Sequence, residues 1–186
     1  MLLNKKLLFI TSNLGKVEEA RKFLSKLNVE IAQLNLKYPE IQSNSLMEIA
    51  RYGAEYCYSK LKKPLFVEDS GLFIKALNGF PGPYSSYVFK TIGNIGLLRL
   101  MQGVEKREAY FKSVVAYHDG ENIKIFSGIV RGKISYEAKG SSGFGFDPIF
   151  LYGAKTFAEL TVEEKNKVSH RSKSLSKLAR WLIAKS

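Results

Sequence analysis

Leu65, Phe66 and Val67 are strong strand formers that run straight into Glu68-Asp69-Ser70-Gly71. Following Pro64, they read as a buried strand, and a buried strand that delivers two acids must reach solvent or have that charge compensated. The strand is expected to stop at Val67. Two chemistries stay open at its end. Adjacent acids can form a solvated loop or a helix cap. They can also hold a hard cation such as Mg²⁺, which uses one or two carboxylates and completes its shell with phosphate oxygens and water; Glu40 is then available as a third acid.

Other segments supply helices around such strands. The apolar run Leu7–Ile10, the polar Thr11-Ser12-Asn13 and the spacing of Val17, Ala20, Leu24 and Leu27 read as strand, loop and helix. Ser45 and Glu48 have capping-box spacing, and Leu46, Ile49, Ala50, Gly53, Ala54, Cys57 and Leu61 fall on one helical face. Gly79-Phe80-Pro81-Gly82-Pro83 must be a constrained loop, followed by a helix from about Ser86 to Met101. Ala109–His118 and Ile123–Val130 flank Asp119-Gly120, a hairpin signal. Lys139–Pro148 reads as a flexible loop with aromatics between glycines. The final helix should bury Leu175, Leu178, Ala179, Leu182 and Ile183. No repeat or linker interrupts the pattern, so a single α/β domain over residues 1–186 is expected.

A chain of 186 residues can bury a core without staples, and its 45% hydrophobic content excludes a disordered one. The single cysteine, Cys57, rules out an internal disulfide framework, and its place in an apolar stripe favours a buried hydrophobe over a nucleophile. Leu7–Ile10 is too short for a signal segment or a membrane span, so the protein is expected in the cytoplasm with no membrane partner. The net charge of +12 biases the surface towards polyanions, yet no DNA- or RNA-binding pattern accompanies it. A solvated basic surface, with no specific nucleic-acid partner, is the better reading.

Thr11, Ser12, Asn13 and Lys16 lie where a helix N-terminus can hold an anion, although Asn13 can equally be a plain cap and Lys16 a surface charge. The segment lacks the glycine cradle of a Walker loop. Lys165, His170 and Arg171 surround the Thr161-x-x-Glu164 capping box and the start of the last helix, as donors with no acidic cluster nearby in sequence. They can meet a purine edge or a phosphate, or form a charged surface. Phe144 can stack on a base or plug a core, and Asp147 can accept from base N–H groups or open a turn.

Taken in order, Thr11-Ser12-Asn13-x-x-Lys16, Glu68-Asp69-Ser70-Gly71-Leu72, Gly79-x-Pro81-Gly82-x-Tyr84-Ser85, Phe144-Gly145-Phe146-Asp147-Pro148 and Lys165-Asn166-x-x-Ser169-His170-Arg171 resemble the signature blocks of the inosine triphosphate pyrophosphatase family, also called the Ham1 family. The resemblance spans nearly the whole chain. It implies a long, twisted mixed sheet with flanking helices, two lobes around a central nucleotide cleft, and a homodimer. It further implies Mg²⁺-dependent hydrolysis of ITP, dITP and XTP to the monophosphate and pyrophosphate, without a covalent intermediate.

By the same resemblance, Asp69 is the general base and a metal ligand, Glu40 a second metal ligand and Glu68 a possible third. Thr11, Ser12, Asn13 and Lys16 hold the triphosphate and Ser70 contacts substrate. Phe144, within the Phe144-Gly145-Phe146-Asp147 block, stacks on the base, while Asp147, Lys165, His170 and Arg171 recognise it. One position departs from the pattern: many relatives carry lysine in Glu-x-Ala-x-x-Lys-Ala, where this chain has Glu48-Ile49-Ala50-Arg51-Tyr52-Gly53-Ala54. A Maf-type nucleotide pyrophosphatase would not account for Ser169-His170-Arg171. A basic nucleic-acid module would bind oligonucleotides without turnover.

Overall fold

The computed structural model describes residues 6–185; residues 1–5 and 186 of the expected domain lie outside the described residues. The elements in chain order are β1 (Lys6–Ile10), α1 (Leu14–Ser25), β2 (Glu30–Leu34), α2 (Leu46–Leu61), β3 (Leu65–Ile74), β4 (Pro81–Gly82), α3 (Ser85–Leu100), β5 (Glu108–His118), β6 (Ile123–Ile134), β7 (Phe150–Tyr152), β8 (Lys155–Thr156), α4 (Val162–Val168) and α5 (His170–Ala184). All the strands join one mixed sheet in the order β2-β1-β3-β5-β6-β7-β8, with β4 added to β3. β1 runs parallel to β2 and β3, and the remaining pairs are antiparallel.

β3 does not stop at Val67. It pairs residue for residue with β5 from Leu65–His118 to Ile74–Ala109, so backbone bonding carries the strand through Glu68-Asp69-Ser70. An acid is tolerated inside a strand when the partner satisfies the backbone and only the side chain has to find compensation. On its other side β3 meets β1 only as far as Phe66 and β4 only from Leu72. Residues 67–71 therefore present an open edge.

Three apolar clusters organise the packing. Phe9, Phe66, Val115 and Tyr117 meet α1 and α5 on one sheet face. Leu65, Val67, Val114 and Ala116 meet α2 on the other. Beyond them, Leu72, Ile74, Phe111 and Val130 pack with Val88, Leu97, Phe146, Phe150 and Phe157. The first two clusters form one lobe and the third forms the other, with β3 passing through both. Glu68-Asp69-Ser70-Gly71 occupies the waist between them.

Local signals explain most helix ends. Ser45 Oγ caps α2 by accepting from Glu48 N, but the Glu48 carboxylate accepts from Ser43 Oγ rather than closing a reciprocal box. The Thr161–Glu164 box is complete in both directions. Cys57 is buried and burial raises its thiol to about 11, consistent with a core residue. The helix expected from about Ser86 is broken at Gly93, whose φ of 61° and ψ of −164° interrupt α3. Ile183, expected in the core, is 49% exposed, while Leu182 beside it is buried. The Lys139–Pro148 loop is tied at several points: Lys139 N donates to Pro148 O and Ser142 N to Ala158 O.

Candidate active site

Alternation along β3 decides the site. Glu68 follows Phe66 onto the face of α1 and α5, whereas Asp69 follows Val67 onto the face of α2. The expected pair is thus split, and the two acids meet opposite environments.

Glu68 is fully enclosed by donors. Oε1 accepts from Ser113 Oγ at 2.6 Å; Oε2 lies 3.0 Å from Lys16 Nζ and 3.3 Å from Arg171 Nε. Oε2 and Nε make a charge contact without hydrogen-bond geometry. Against the burial that opposes it, Arg171 and then Lys16 hold the Glu68 carboxyl well below its usual range. Its charge is already matched within the protein, so it fits a positioning role better than a place in a metal's shell.

Among the described residues Asp69 makes no ion pair of this kind; its Oδ1 accepts from Ser70 N at 2.9 Å. Burial, reinforced by Glu68 and Glu40 against Lys16, pushes its carboxyl up to about 6. Such a group is mostly ionised at neutral pH yet basic enough to accept a proton. Glu40 is exposed on the loop before α2, close enough for its charge to act on Asp69. Among the described residues no three His, Cys, Asp or Glu side chains form a metal cage. Two acids that form no ion pair among the described residues, at an open strand edge, nevertheless fit Mg²⁺, which draws its remaining ligands from phosphate and water.

The donors near the C-terminus do have acidic partners, contrary to expectation. Glu19, buried in α1, accepts from Lys165 Nζ at 2.6 Å and pairs with Arg171 Nη1. Although burial opposes it, Arg171 and then Lys165 lower its carboxyl. Lys165 Nζ also donates to Asp147 Oδ2 at 2.6 Å, and that oxygen accepts from Phe144 N at 2.8 Å. Burial outweighs Lys165 and raises Asp147. Arg171 Nη2 donates to Ser70 Oγ at 3.1 Å, linking the last helix to β3. Helical spacing holds the one signal for Glu19: it lies three residues after Lys16 and therefore shares its side of α1.

His170 is buried and stacks on Phe111 with ring centres 4.8 Å apart, while its Nδ1 has no hydrogen-bond partner among the described residues. Burial, then the Arg171 charge, holds it well below the ordinary histidine range, so it is neutral. The Phe144 ring covers Lys165 and Arg171 at 5.2 and 5.4 Å. It also lies on Gly15, where an added Cβ would come within 2.6 Å of Cδ1, so only glycine admits the ring. Phe146 turns into the apolar core against Phe89, supporting the loop from beneath. Gly145 joins the site through its backbone: its carbonyl accepts from Asn94 Nδ2 at 3.2 Å, a contact no sequence motif announced.

In the N-terminal loop, Thr11 Oγ1 accepts from Asn13 N and Asn13 Oδ1 from Lys16 N, both at 3.1 Å. Asn13 is therefore a true helix cap, and Ser12 is exposed beside it. Lys16 leaves the surface to donate to Glu68 O at 2.9 Å, on the open edge of β3. Cap, lysine and strand edge converge at the waist.

A half-buried acid on an open strand edge, next to a buried cation–carboxylate network, marks an α/β protein with a candidate acid–base site. Residues 7–181 match the Ham1 family. The chain belongs to that family. It is 56% identical over 179 residues to a dITP/XTP pyrophosphatase of Thermococcus kodakarensis, covering 95% of this chain and 97% of the relative. It is 55% identical to one of Methanopyrus kandleri, covering 95% of each. The solved Ham1 protein of Staphylococcus aureus superposes with a TM-score of 0.84 at 29% identity, over 97% of this chain and all of that one. No helix among the described residues is long and apolar enough to cross a membrane.

Proposed function

We propose that this chain hydrolyses the non-standard purine triphosphates ITP, dITP and XTP to the monophosphate and pyrophosphate, clearing them from the cytoplasmic nucleotide pool. The observation that carries this is Asp69: a half-buried acid raised to about 6 on an unpaired strand edge, with the Lys16 charge acting on it. Asp69 takes a proton from water as the water oxygen attacks the α-phosphorus, and the bridging oxygen leaves with pyrophosphate. Lys16 and the first turn of α1 hold the polyphosphate. Mg²⁺, held by Asp69 and Glu40, would neutralise phosphate charge.

The base stacks on Phe144. Lys165, Arg171 and His170 supply donors for the 6-keto oxygen of hypoxanthine or xanthine, and Asp147 accepts from ring N–H. An adenine amino group would face donors instead of giving them an acceptor, which an enclosed site penalises. The relatives' names, dITP/XTP pyrophosphatase, support the same substrate class. The exposed Tyr87, Ile92 and Ile95 on α3 favour a homodimer.

Incubation with Mg²⁺ and ITP, XTP, ATP or GTP, with all phosphate products resolved, tests this function. Monophosphate and pyrophosphate from ITP and XTP, lost with Asp69→Asn or EDTA, are expected. Diphosphate with orthophosphate, or no turnover, would exclude the mechanism.

A further inference from the structure

Gly53 stands where the family pattern named above carries lysine, and the structure shows what fills the space. A Cβ added to Gly53 would lie 2.8 Å from Tyr38 Cε2, 3.0 Å from Cζ and 3.2 Å from Oη. The hydroxyl end of the ring therefore rests on the backbone of α2, closer than any side chain at 53 would allow. Arg51, the nearest positive charge in sequence, is exposed and does not take this place.

Tyr38 packs on the cluster of Ile10, Leu46, Ala50 and Val67. Val67 and Asp69 share a face of β3, so the phenol lies on Asp69's side of the sheet. Among the described residues its hydroxyl hydrogen-bonds to no other protein group, whereas the cations on the opposite face, Lys16, Lys165 and Arg171, are all engaged with acids. A phenol donor without a protein acceptor among the described residues stands on the same face of β3 as the proposed base.

Resting on the hydrolysis proposed above, we infer that Tyr38 is a substrate-contacting residue whose hydroxyl donates a hydrogen bond to an anionic oxygen of the triphosphate beside Asp69, with Gly53 as its seat. A phenol suits this place because it offers a donor to phosphate without a charge that would pair with Asp69 or Glu40. The aromatic ring fixes the hydroxyl's position through packing, which a flexible side chain would not do.

Tyr38→Phe keeps the ring and deletes only the donor. Steady-state release of pyrophosphate from ITP should then show kcat/KM lower by about tenfold or more, the usual cost of losing a hydrogen bond to a charged group, with an unchanged melting temperature. Gly53→Lys should lose activity because it evicts the ring. Combined with Tyr38→Ala it should recover activity above Tyr38→Ala alone, since a cation then occupies the vacated space. Unchanged kcat/KM in Tyr38→Phe, in a protein whose Asp69→Asn variant is inactive, would overturn the contact while leaving the hydrolase function intact. No pyrophosphate release by the unaltered chain would overturn the function itself and this contact with it.

Discussion

Glu68 and Asp69 are consecutive residues of β3, yet their carboxyls face opposite sides of the sheet and shift in opposite directions. Glu68 is lowered by Arg171 and Lys16 despite burial, and Asp69 is raised to about 6 by burial. One strand thereby separates an anchor, whose charge is matched inside the protein, from the proposed base, which forms no ion pair among the described residues.

Asp69 should cost the folded protein stability at neutral pH. Its folded value lies above the usual aspartate value, so the native state binds more protons between about pH 4 and 6, and stability falls as pH rises through that window. In metal-free buffer, Asp69→Asn should raise stability at pH 7 by on the order of 1–3 kcal/mol. The difference should vanish below pH 4 in denaturant titrations.

Glu68 has the opposite sign. Its stabilisation is present above the ordinary glutamate range and is lost as pH falls towards its depressed folded value. Glu68→Gln leaves Lys16 and Arg171 short of a counter-charge and should destabilise by about 3–5 kcal/mol at pH 7. Glu19→Gln should act similarly through Lys165 and Arg171. Chemical unfolding of both variants measures this.

Phe144→Ala should raise the KM for ITP on the order of tenfold by removing a stacking surface, while leaving kcat less affected. Asn94→Ala should move KM in the same direction, because its amide holds the Gly145 carbonyl of that loop. Steady-state kinetics separates the two constants.

Tyr87 and Ile95 on α3 are each 69% exposed. If copies of the chain meet there, Tyr87→Glu with Ile95→Glu should yield a monomer in light scattering, with its melting curve still cooperative. A dimer that persists in this variant would place the interface elsewhere.

The local sequence already held the longer elements and the blocks of the site, though not the short strands β2, β4, β7 and β8. Strand-forming runs, the helical stripes of α1, α2 and α5, the Asp119-Gly120 hairpin and the Thr161 cap are set by side chains within a few residues of one another. Asp69, Lys16, Phe144 and Arg171 could be singled out on the same grounds, and the ordered blocks pointed to the family.

Only the tertiary structure decided how those residues share charge. No local pattern ends or continues β3 at Glu68; its register with β5 does, because a paired strand satisfies the backbone whatever the side chains carry. Glu18 and Glu19 look equivalent in sequence, but packing of α1 leaves Glu18 exposed and places Glu19 between Lys165 and Arg171, more than 140 residues away. The contact of Tyr38 with Gly53 likewise arises when the loop folds onto α2. Periodicity reports which face of an element is buried, whereas the partners that compensate a buried charge come from distant chain segments and are fixed only when the sheet and helices close together.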